Sequence, residues 1–170
     1  MKHFIFILLF SLNSFYMYAQ SDYDKSIDKE TNAVIYKGEI SFEDLLQEPS
    51  FSWFHEGITN YTPKSDAIAF LQKELPGYEV IVFLGTWCED SHLMVPQLHN
   101  VLKAAQYPFR RLSLYGVDRA KETKFAEEKL YKISFVPTII LYKDGKEIGR
   151  IVESVQKSVE EDLVSLIQKQ

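Results

Sequence analysis

The sequence predicts a single α/β domain, in which a mixed sheet carries helices on both faces. The 170-residue chain is 46% hydrophobic and 25% charged, a composition typical of one compact domain. Residues 79–85 form a continuous β-branched and aromatic run, as expected of a buried strand that helices cover on both sides. From that run onward the hydrophobic pattern indicates the order β-α-β-α-β-β-α, which combines parallel and antiparallel strands in one sheet.

An N-terminal helical extension is predicted to precede this core, over residues 33–77. Residues 20–32 are polar and lack periodicity, and we expect a flexible lead-in there. The elements expected in the extension are an edge strand at 33–36, a short helix capped by Ser41, a second helix at 51–58 and a third helix capped by Ser65. Four aromatic residues are expected to dock the extension on the sheet, or alternatively to line a substrate groove: Phe51, Trp53, Phe54 and Tyr61.

The core is predicted to span residues 78–170. Its expected elements are a strand at 79–85, a helix at 88–106, a strand at 111–117, a helix at 119–129, strands at 138–142 and 147–152, and a helix at 155–168. Asp144 and Gly145 separate the last two strands, and both residue types accept the positive φ angles of a two-residue hairpin. The final helix places its apolar side chains on one stripe.

The first nineteen residues have the pattern of a secretory signal peptide. Lys2 precedes an apolar run at residues 4–12, a polar break follows, and Ala19 supplies a small residue for cleavage. This run is far shorter than the roughly 20 residues of a membrane-spanning helix. We therefore expect cleavage near Ala19 and a soluble, exported protein, either periplasmic or extracellular.

Charge and cysteine content exclude several functions. The net charge is −5, from 24 acidic and 19 basic residues, and without a long basic cluster a nucleic-acid-binding surface is not expected. Cys88 is the only cysteine, which excludes an internal disulfide and a zinc site built on paired cysteines. No metal or cofactor is predicted, and we expect a monomer.

Cys88 is predicted to lie where the central strand turns into a helix. The unpaired backbone N–H groups and the dipole at a helix N-terminus favour an anion, and a thiolate is such an anion. Residues at this position also lie at the carboxyl edge of the sheet, where open α/β folds bind ligands. An inert core cysteine is the alternative, and the residues alone leave both interpretations open.

The segment after the central strand reads Trp87-Cys88-Glu89-Asp90-Ser91. It resembles the active-site turn of the thioredoxin family, in which a Trp-Cys-x-x-Cys motif opens a helix. Four further features follow in the family's order: Pro96 in the helix, Val117-Asp118 after the next strand, Val136-Pro137-Thr138 at the position of the cis-proline loop, and residues 143–146 in the last hairpin. The resemblance covers residues 78–168 and implies a thioredoxin-like fold.

The resemblance also implies roles for individual residues. Cys88 takes the position of the nucleophile and Trp87 that of its apolar cover. Val136 and Pro137 take the position of the backbone edge that pairs with an extended substrate. We accordingly expect Pro137 to be cis, with its loop facing Cys88.

Three positions depart from the family pattern. Ser91 stands where the family carries its second, resolving cysteine, so no thiolate of this chain can attack a mixed disulfide formed on Cys88. Val82 and Leu114 stand where the family carries a buried carboxylate and its lysine partner. We therefore expect monothiol chemistry, in which Cys88 traps protein or small-molecule disulfides and an external thiol reductant resolves the product.

Ser91 is a candidate catalytic residue beside Cys88, and three further neighbours, Glu89, Asp90 and His92, are candidate modulators of the thiol. Ser91 lies on the same helix face, and its hydroxyl either donates a hydrogen bond to the thiolate or merely fills a site of lost reactivity. Glu89 and Asp90 complement the helix N-terminus but oppose a second negative charge at Cys88. His92 either stabilises the thiolate when it is protonated or is a solvated helix residue.

A function from a different class competes with this hypothesis. The protein would then be a thioredoxin-fold binding module of the cell envelope, which holds extended peptide on Trp87 and the cis-proline surface without covalent catalysis. Exposure of the Cys88 thiol separates the two hypotheses, because a buried thiol leaves only binding.

Overall fold

Six strands form one sheet at the centre of the protein. The computed structural model describes residues 22–169, and the predicted signal peptide lies outside these described residues. The strands are β1 (Tyr23–Ile27), β2 (Val34–Ile40), β3 (Glu79–Leu84), β4 (Leu112–Gly116), β5 (Thr138–Lys143) and β6 (Lys146–Val152), in the spatial order β1-β2-β4-β3-β5-β6. β3 and β4 are parallel, whereas the other neighbouring pairs are antiparallel. The predicted mixed sheet is confirmed.

Most helices lie on one face of this sheet. The helices are α1 (Phe42–Gln47), α2 (Ser52–Asn60), α3 (Ser65–Glu74), α4 (Glu89–Ala104), α5 (Glu127–Leu130) and α6 (Val159–Gln168). Val82 and Leu84 of β3 pack with α1 to α4 and α6 in a large buried cluster. Phe83 points to the opposite face and contacts Tyr131, which directly follows α5. None of the helices within residues 22–169 is long and apolar enough to cross a membrane.

The predicted flexible lead-in at residues 20–32 contains strand β1 instead. β1 pairs with β2 over its whole length, so β2 is an inner strand that extends to Ile40, not the expected edge strand. The Asp28 carboxylate closes the connecting loop by accepting hydrogen bonds from the N–H groups of Glu30 and Thr31, at 2.9 and 2.8 Å. Because most β1 side chains are exposed, the strand has no hydrophobic alternation that a sequence pattern would reveal.

The helix predicted at residues 119–129 is also wrong, since only α5 is helical there. The Asp118 carboxylate accepts hydrogen bonds from the N–H groups of Ala120 and Glu122, at 2.9 and 3.0 Å. Lys121 and Ala126 have φ angles of +63° and +66°, which a right-handed helix does not accommodate. Local side-chain bonding therefore replaces the first two turns of the expected helix with a loop.

The structure shows both the predicted cap of the first helix and the predicted docking of the N-terminal extension. Ser41 Oγ accepts a hydrogen bond from the Asp44 N–H at 3.1 Å, and the Asp44 carboxylate accepts one from the Ser41 N–H at 2.7 Å. This capping box starts α1. The four aromatic residues expected at the docking face all belong to the large cluster or pack against it: Phe51, Trp53, Phe54 and Tyr61.

Local interactions fix the turn of the last hairpin and the start of the last helix. Asp144 and Gly145 have φ angles of +51° and +74°, which confirms the predicted tight hairpin between β5 and β6. The final helix begins at Val159 and not at residue 155, because Ser158 is extended and its side chain accepts the N–H of Glu161.

Glu160 connects the extension to the last helix. Its carboxylate is fully buried and accepts hydrogen bonds from the Tyr61 hydroxyl at 2.6 Å and from the Lys64 N–H at 3.1 Å. The second bond accompanies an extended Lys64, which is the N-cap of α3 in place of the predicted Ser65. Burial raises the pKa of Glu160, but these hydrogen bonds outweigh it and hold the pKa below its usual range.

Glu160→Gln is expected to lower the free energy of unfolding at neutral pH by about 1.5–3 kcal/mol, because an amide cannot accept both bonds. The folded pKa is depressed, so the contribution of Glu160 is complete above the unfolded value of about 4.3 and is lost as the pH falls through the folded pKa. Urea unfolding from pH 7 downwards should show the two proteins converging. The exposed Glu56→Gln is the control, and a constant difference at every pH would contradict the assignment.

Gly116→Ala is expected to destabilise the protein by about 1–3 kcal/mol. β2 and β4 approach so closely that an added methyl group would clash with the carbonyl oxygen of Tyr36 and lie 2.9 Å from its carbon. Gly77→Ala is the matched control, because nothing lies within 4 Å of the added atom. Equal urea midpoints for the two variants would refute the steric argument.

Candidate active site

Cys88 lies at the turn between β3 and α4 and is the N-cap of that helix. Its N–H donates to the Gly85 carbonyl at 2.9 Å, and its carbonyl accepts the His92 N–H at 3.0 Å, so the turn runs directly into the first helical bond. A methyl group on Gly85 would lie 2.8 Å from the Trp87 ring and 3.1 Å from Cys88 Cβ. Cys88 as a residue is half-buried.

The loop before β5 faces this turn. The peptide bond between Val136 and Pro137 is cis, and the Cys88 thiol lies 3.5 Å from the Val136 carbonyl oxygen, to which it donates. Thr138 Oγ1 donates to the Phe135 carbonyl at 2.7 Å, and the Glu153 N–H donates to the Pro137 carbonyl at 2.8 Å. The expected geometry of Pro137 is confirmed, and hydrogen bonds hold the loop on both sides of it.

Trp87 directly precedes Cys88 in the turn, and several contacts fix its ring. Its indole N–H donates to the Val117 carbonyl at 2.9 Å, and both Trp87 and Cys88 pack against the smaller apolar cluster on the second face of the sheet. The guanidinium carbon of Arg119 lies 4.5 Å from the centre of the Trp87 ring. The ring is therefore fixed in its plane by one hydrogen bond and by a cation above it.

Ser91 has a defined structural partner. The residue is fully buried, and its Oγ accepts a hydrogen bond from the Gly85 N–H at 3.2 Å. That bond satisfies a backbone donor at the end of β3 and leaves the hydroxyl proton free to be donated elsewhere. Ser91 thus supports the turn that carries Cys88, and a donation from its hydroxyl to a thiolate stays a prediction.

His92 is a half-buried residue and not the solvated helix residue of one sequence interpretation, whereas its action on the thiolate stays a prediction. Its ring stacks on Trp53 of α2 with centroids 4.2 Å apart, and its Nε2 lies 2.9 Å from the Thr86 carbonyl oxygen. A carbonyl only accepts, so Nε2 carries a proton and donates it. Burial lowers the pKa of His92. The neutral, half-buried ring buttresses the turn, whereas Glu89 and Asp90 are exposed in the first turn of α4.

Val82 and Leu114 lie beneath the turn in the large cluster. They are neighbours in the parallel register of β3 and β4, and both are essentially fully buried. Two apolar side chains therefore occupy the positions where the resemblance placed a carboxylate and its lysine partner.

Among residues 22–169, no group of three histidine, cysteine or acidic side chains is arranged to hold a metal ion.

Thr86 and Arg119 contribute to the site although the sequence analysis did not select them. Thr86 Oγ1 donates to the Val34 carbonyl at 2.9 Å and accepts the Tyr36 N–H at 3.2 Å. These bonds attach the turn to strand β2 of the extension. The position of Thr86, a hydroxyl residue just after a buried strand, could have indicated its role. The role of Arg119 could not be predicted, because it depends on a loop that the sequence pattern predicts to be a helix.

Comparison with known proteins places the chain in a family. The family model for thioredoxin matches residues 69–169. Thioredoxin from Chlamydia pneumoniae is 34% identical over 93 residues, which cover 55% of this chain and 82% of that protein. Mitochondrial thioredoxin-3 from Saccharomyces cerevisiae is 31% identical over 87 residues, covering 51% of this chain and 64% of that protein.

Among solved structures, the chain resembles the crystal structure of an HIV epitope scaffold, with a TM-score of 0.51 and 14% identity over 70% of this chain and 82% of that one. This likeness concerns the fold alone. The family match covers more than half of the chain and includes Trp87, Cys88 and the Val136-Pro137 loop. The chain belongs to the thioredoxin family, as a member with a single cysteine and additional N-terminal elements.

Proposed function

We propose that the protein carries out thiol–disulfide exchange with Cys88 as its single nucleophile, and that each reaction stops at a mixed disulfide until an external thiol resolves it. The observation that carries this proposal is the position of the thiol. Cys88 is half-buried at the N-cap of α4 and faces the Val136 carbonyl of the cis-proline loop. Open α/β sheets bind their ligands at this carboxyl edge, so the position favours a reactive thiol over one that serves packing alone.

The proposed reaction conserves one disulfide bond. The Cys88 thiol loses its proton to solvent, and the thiolate attacks one sulfur of a substrate disulfide. A new bond joins Cys88 Sγ to that sulfur, the substrate bond breaks, and the second sulfur leaves with the electron pair and takes up a proton. Cys88 is oxidised and the leaving sulfur is reduced, so no further oxidant is needed.

The Val136 carbonyl supports the binding of an extended substrate. In the free protein this carbonyl accepts a hydrogen bond from the Cys88 thiol. Once Sγ has lost its proton and joined the substrate, the carbonyl is free to accept a backbone N–H from the substrate segment next to the reacting sulfur. Pairing of this kind with an exposed backbone edge is a general way of holding extended peptide.

Resolution is assigned to an external thiol because the chain has no second cysteine. Ser91 occupies the position from which a resolving thiol would attack, but its hydroxyl oxygen accepts a hydrogen bond from the Gly85 N–H. Disulfide exchange requires a thiolate as the attacking group, and an alcohol does not replace it. Val82 and Leu114 carry no proton-transferring group. The mixed disulfide should therefore be long-lived.

An exported location is part of the proposal and depends on the sequence pattern of residues 2–19. In an oxidising compartment disulfides persist, so substrates for Cys88 would be abundant there. The thiol that resolves the adduct would then have to be supplied to that compartment.

Cys88 is expected to form one stable covalent adduct per chain when the protein is incubated with 2-hydroxyethyl disulfide or with insulin. Intact-mass measurement should show the adduct, and addition of dithiothreitol should release it. Cys88→Ala should form none. If wild-type protein forms no adduct but binds extended peptides equally with and without the thiol, the binding-module hypothesis takes the place of this proposal.

Ser91→Cys is expected to convert trapping into turnover, because it restores the nucleophile that attacks the mixed disulfide. Insulin reduction supported by dithiothreitol should rise above the wild-type rate. It should still fall about 10²-fold short of a two-cysteine thioredoxin, since Val82 and Leu114 cannot move the proton during resolution.

The matched control is Ser52→Cys, which adds a thiol at an exposed position of α2. It should leave insulin reduction at the wild-type rate. Wild-type turnover as fast as that of Ser91→Cys would show that an internal resolving thiol is not needed, and the monothiol proposal would fail.

A further inference from the structure

We propose that the Cys88 site selects disulfides whose reacting sulfur is flanked by carboxylate groups, as in an acidic protein segment. The inference rests on the proposed thiol–disulfide exchange and names its substrate class. It arises from the loop of residues 118–122, which places one cation against each of the two aromatic rings beside Cys88 and Val136.

Arg119 is the first of these cations. It lies over the Trp87 ring, and its position is fixed because Nε donates to the Asp28 carboxylate at 2.7 Å and Nη2 donates to Thr31 Oγ1 at 3.1 Å. The loop between β1 and β2 thereby holds the guanidinium beside the active-site turn. With its side chain 44% exposed, Arg119 keeps donors available to a ligand carboxylate.

Lys121 is the second cation. Its ammonium group lies 5.9 Å from the centre of the Phe135 ring, and Phe135 directly precedes the Val136 edge that faces Cys88. Phe135 is 49% exposed. A substrate segment that lies along Val136 would therefore lie near an exposed aromatic ring and a positive charge.

A groove of about 520 Å³ adjoins Phe135 and extends the positive surface. Its lining includes Lys121, Lys129, Lys132 and Ser134. Within residues 22–169, no ion pair joins any of these three lysines to a carboxylate. The nearby Glu147 feels the charge of Lys132, but an arginine already pairs with it.

Two acids line the same groove. Glu128 is buried and accepts hydrogen bonds from the Thr123 N–H and hydroxyl. Glu122 is exposed and lies 3.5 Å from the Lys37 ammonium, which also pairs with Asp118. The three lysines therefore outnumber the one exposed carboxylate in this groove.

The opposite side of Cys88 is acidic, because Glu89 and Asp90 are exposed in the first turn of α4. The chain as a whole carries a net charge of −5. Overall charge alone would make an anionic disulfide the slowest to react. A preference for anions can therefore come only from the local cations, and it requires the substrate carboxylate to lie on the Phe135 side.

The experiment compares rate constants for adduct formation at Cys88 with three aliphatic disulfides: 3,3′-dithiodipropionate, which is anionic, 2-hydroxyethyl disulfide, which is neutral, and cystamine, which is cationic. Arg119→Gln and Lys121→Gln should each slow dithiodipropionate about 3-fold, and the double variant about 10-fold, from the usual strength of exposed ion pairs. The rate constant for the neutral probe should fall less than that for dithiodipropionate, so the ratio of anionic to neutral rate constants should drop, and the ratio of cationic to neutral rate constants should rise. High salt should abolish the differences.

Two controls separate charge from structure. Arg119→Lys keeps the charge and should retain most of the anion rate. Lys146→Gln removes one charge at the β5–β6 hairpin, which lies at the end of the sheet where β3 begins, and should change none of the three rates. Equal slowing of all three probes by Arg119→Gln and Lys121→Gln, or no effect on dithiodipropionate, would overturn the inference. Failure of wild-type protein to react with any probe would overturn the proposed function itself.

Discussion

The antiparallel register of β3 and β5 is the constraint on which the site depends. Phe83 lies opposite Thr138, so the end of β3 and the start of β5 meet at one edge of the sheet. Cys88 and Val136, the residues just beyond those ends, are thereby brought within contact. A slip of one residue would turn every β5 side chain to the other face. The observed register runs from Glu79 opposite Tyr142 to Phe83 opposite Thr138, and it places Ile139 in one apolar cluster and Ile140 in the other.

The N-terminal elements complete this edge from a second direction. β2 is bound to the turn through Thr86, α2 supports it through the stacking of Trp53 on His92, and the loop after β1 holds Arg119 over Trp87. Each contact joins a residue outside the thioredoxin match to the segment around Cys88. The extension therefore belongs to the support of the site, and changes in it should alter the reactivity of Cys88 without touching the cysteine.

Features with strong local chemistry were predictable from the sequence. The buried run of β3, the N-cap at Ser41 and the Asp144-Gly145 hairpin each depend on residues close together in the chain. The cis-proline loop was predicted from the family resemblance instead. β1 was not predictable, because its alignment comes from pairing with β2 and its side chains are mostly exposed. The loop at residues 118–126 was not predictable, because its composition is that of an ordinary helix. The hydrogen bonds of the Asp118 side chain and two residues with positive φ angles prevent a helix there.

The chemistry of the site follows from what surrounds the sulfur. Attack on a disulfide needs an accessible thiolate and a bound substrate, which the N-cap position and the Val136 edge can supply. Release needs a second thiolate and a proton carrier, and the corresponding positions hold Ser91, Val82 and Leu114, all buried. The first half of the exchange is thus supported and the second half is not. Under the proposed function, a covalent bond to an incoming partner is therefore the expected product, and an external thiol would decide how long that bond lasts.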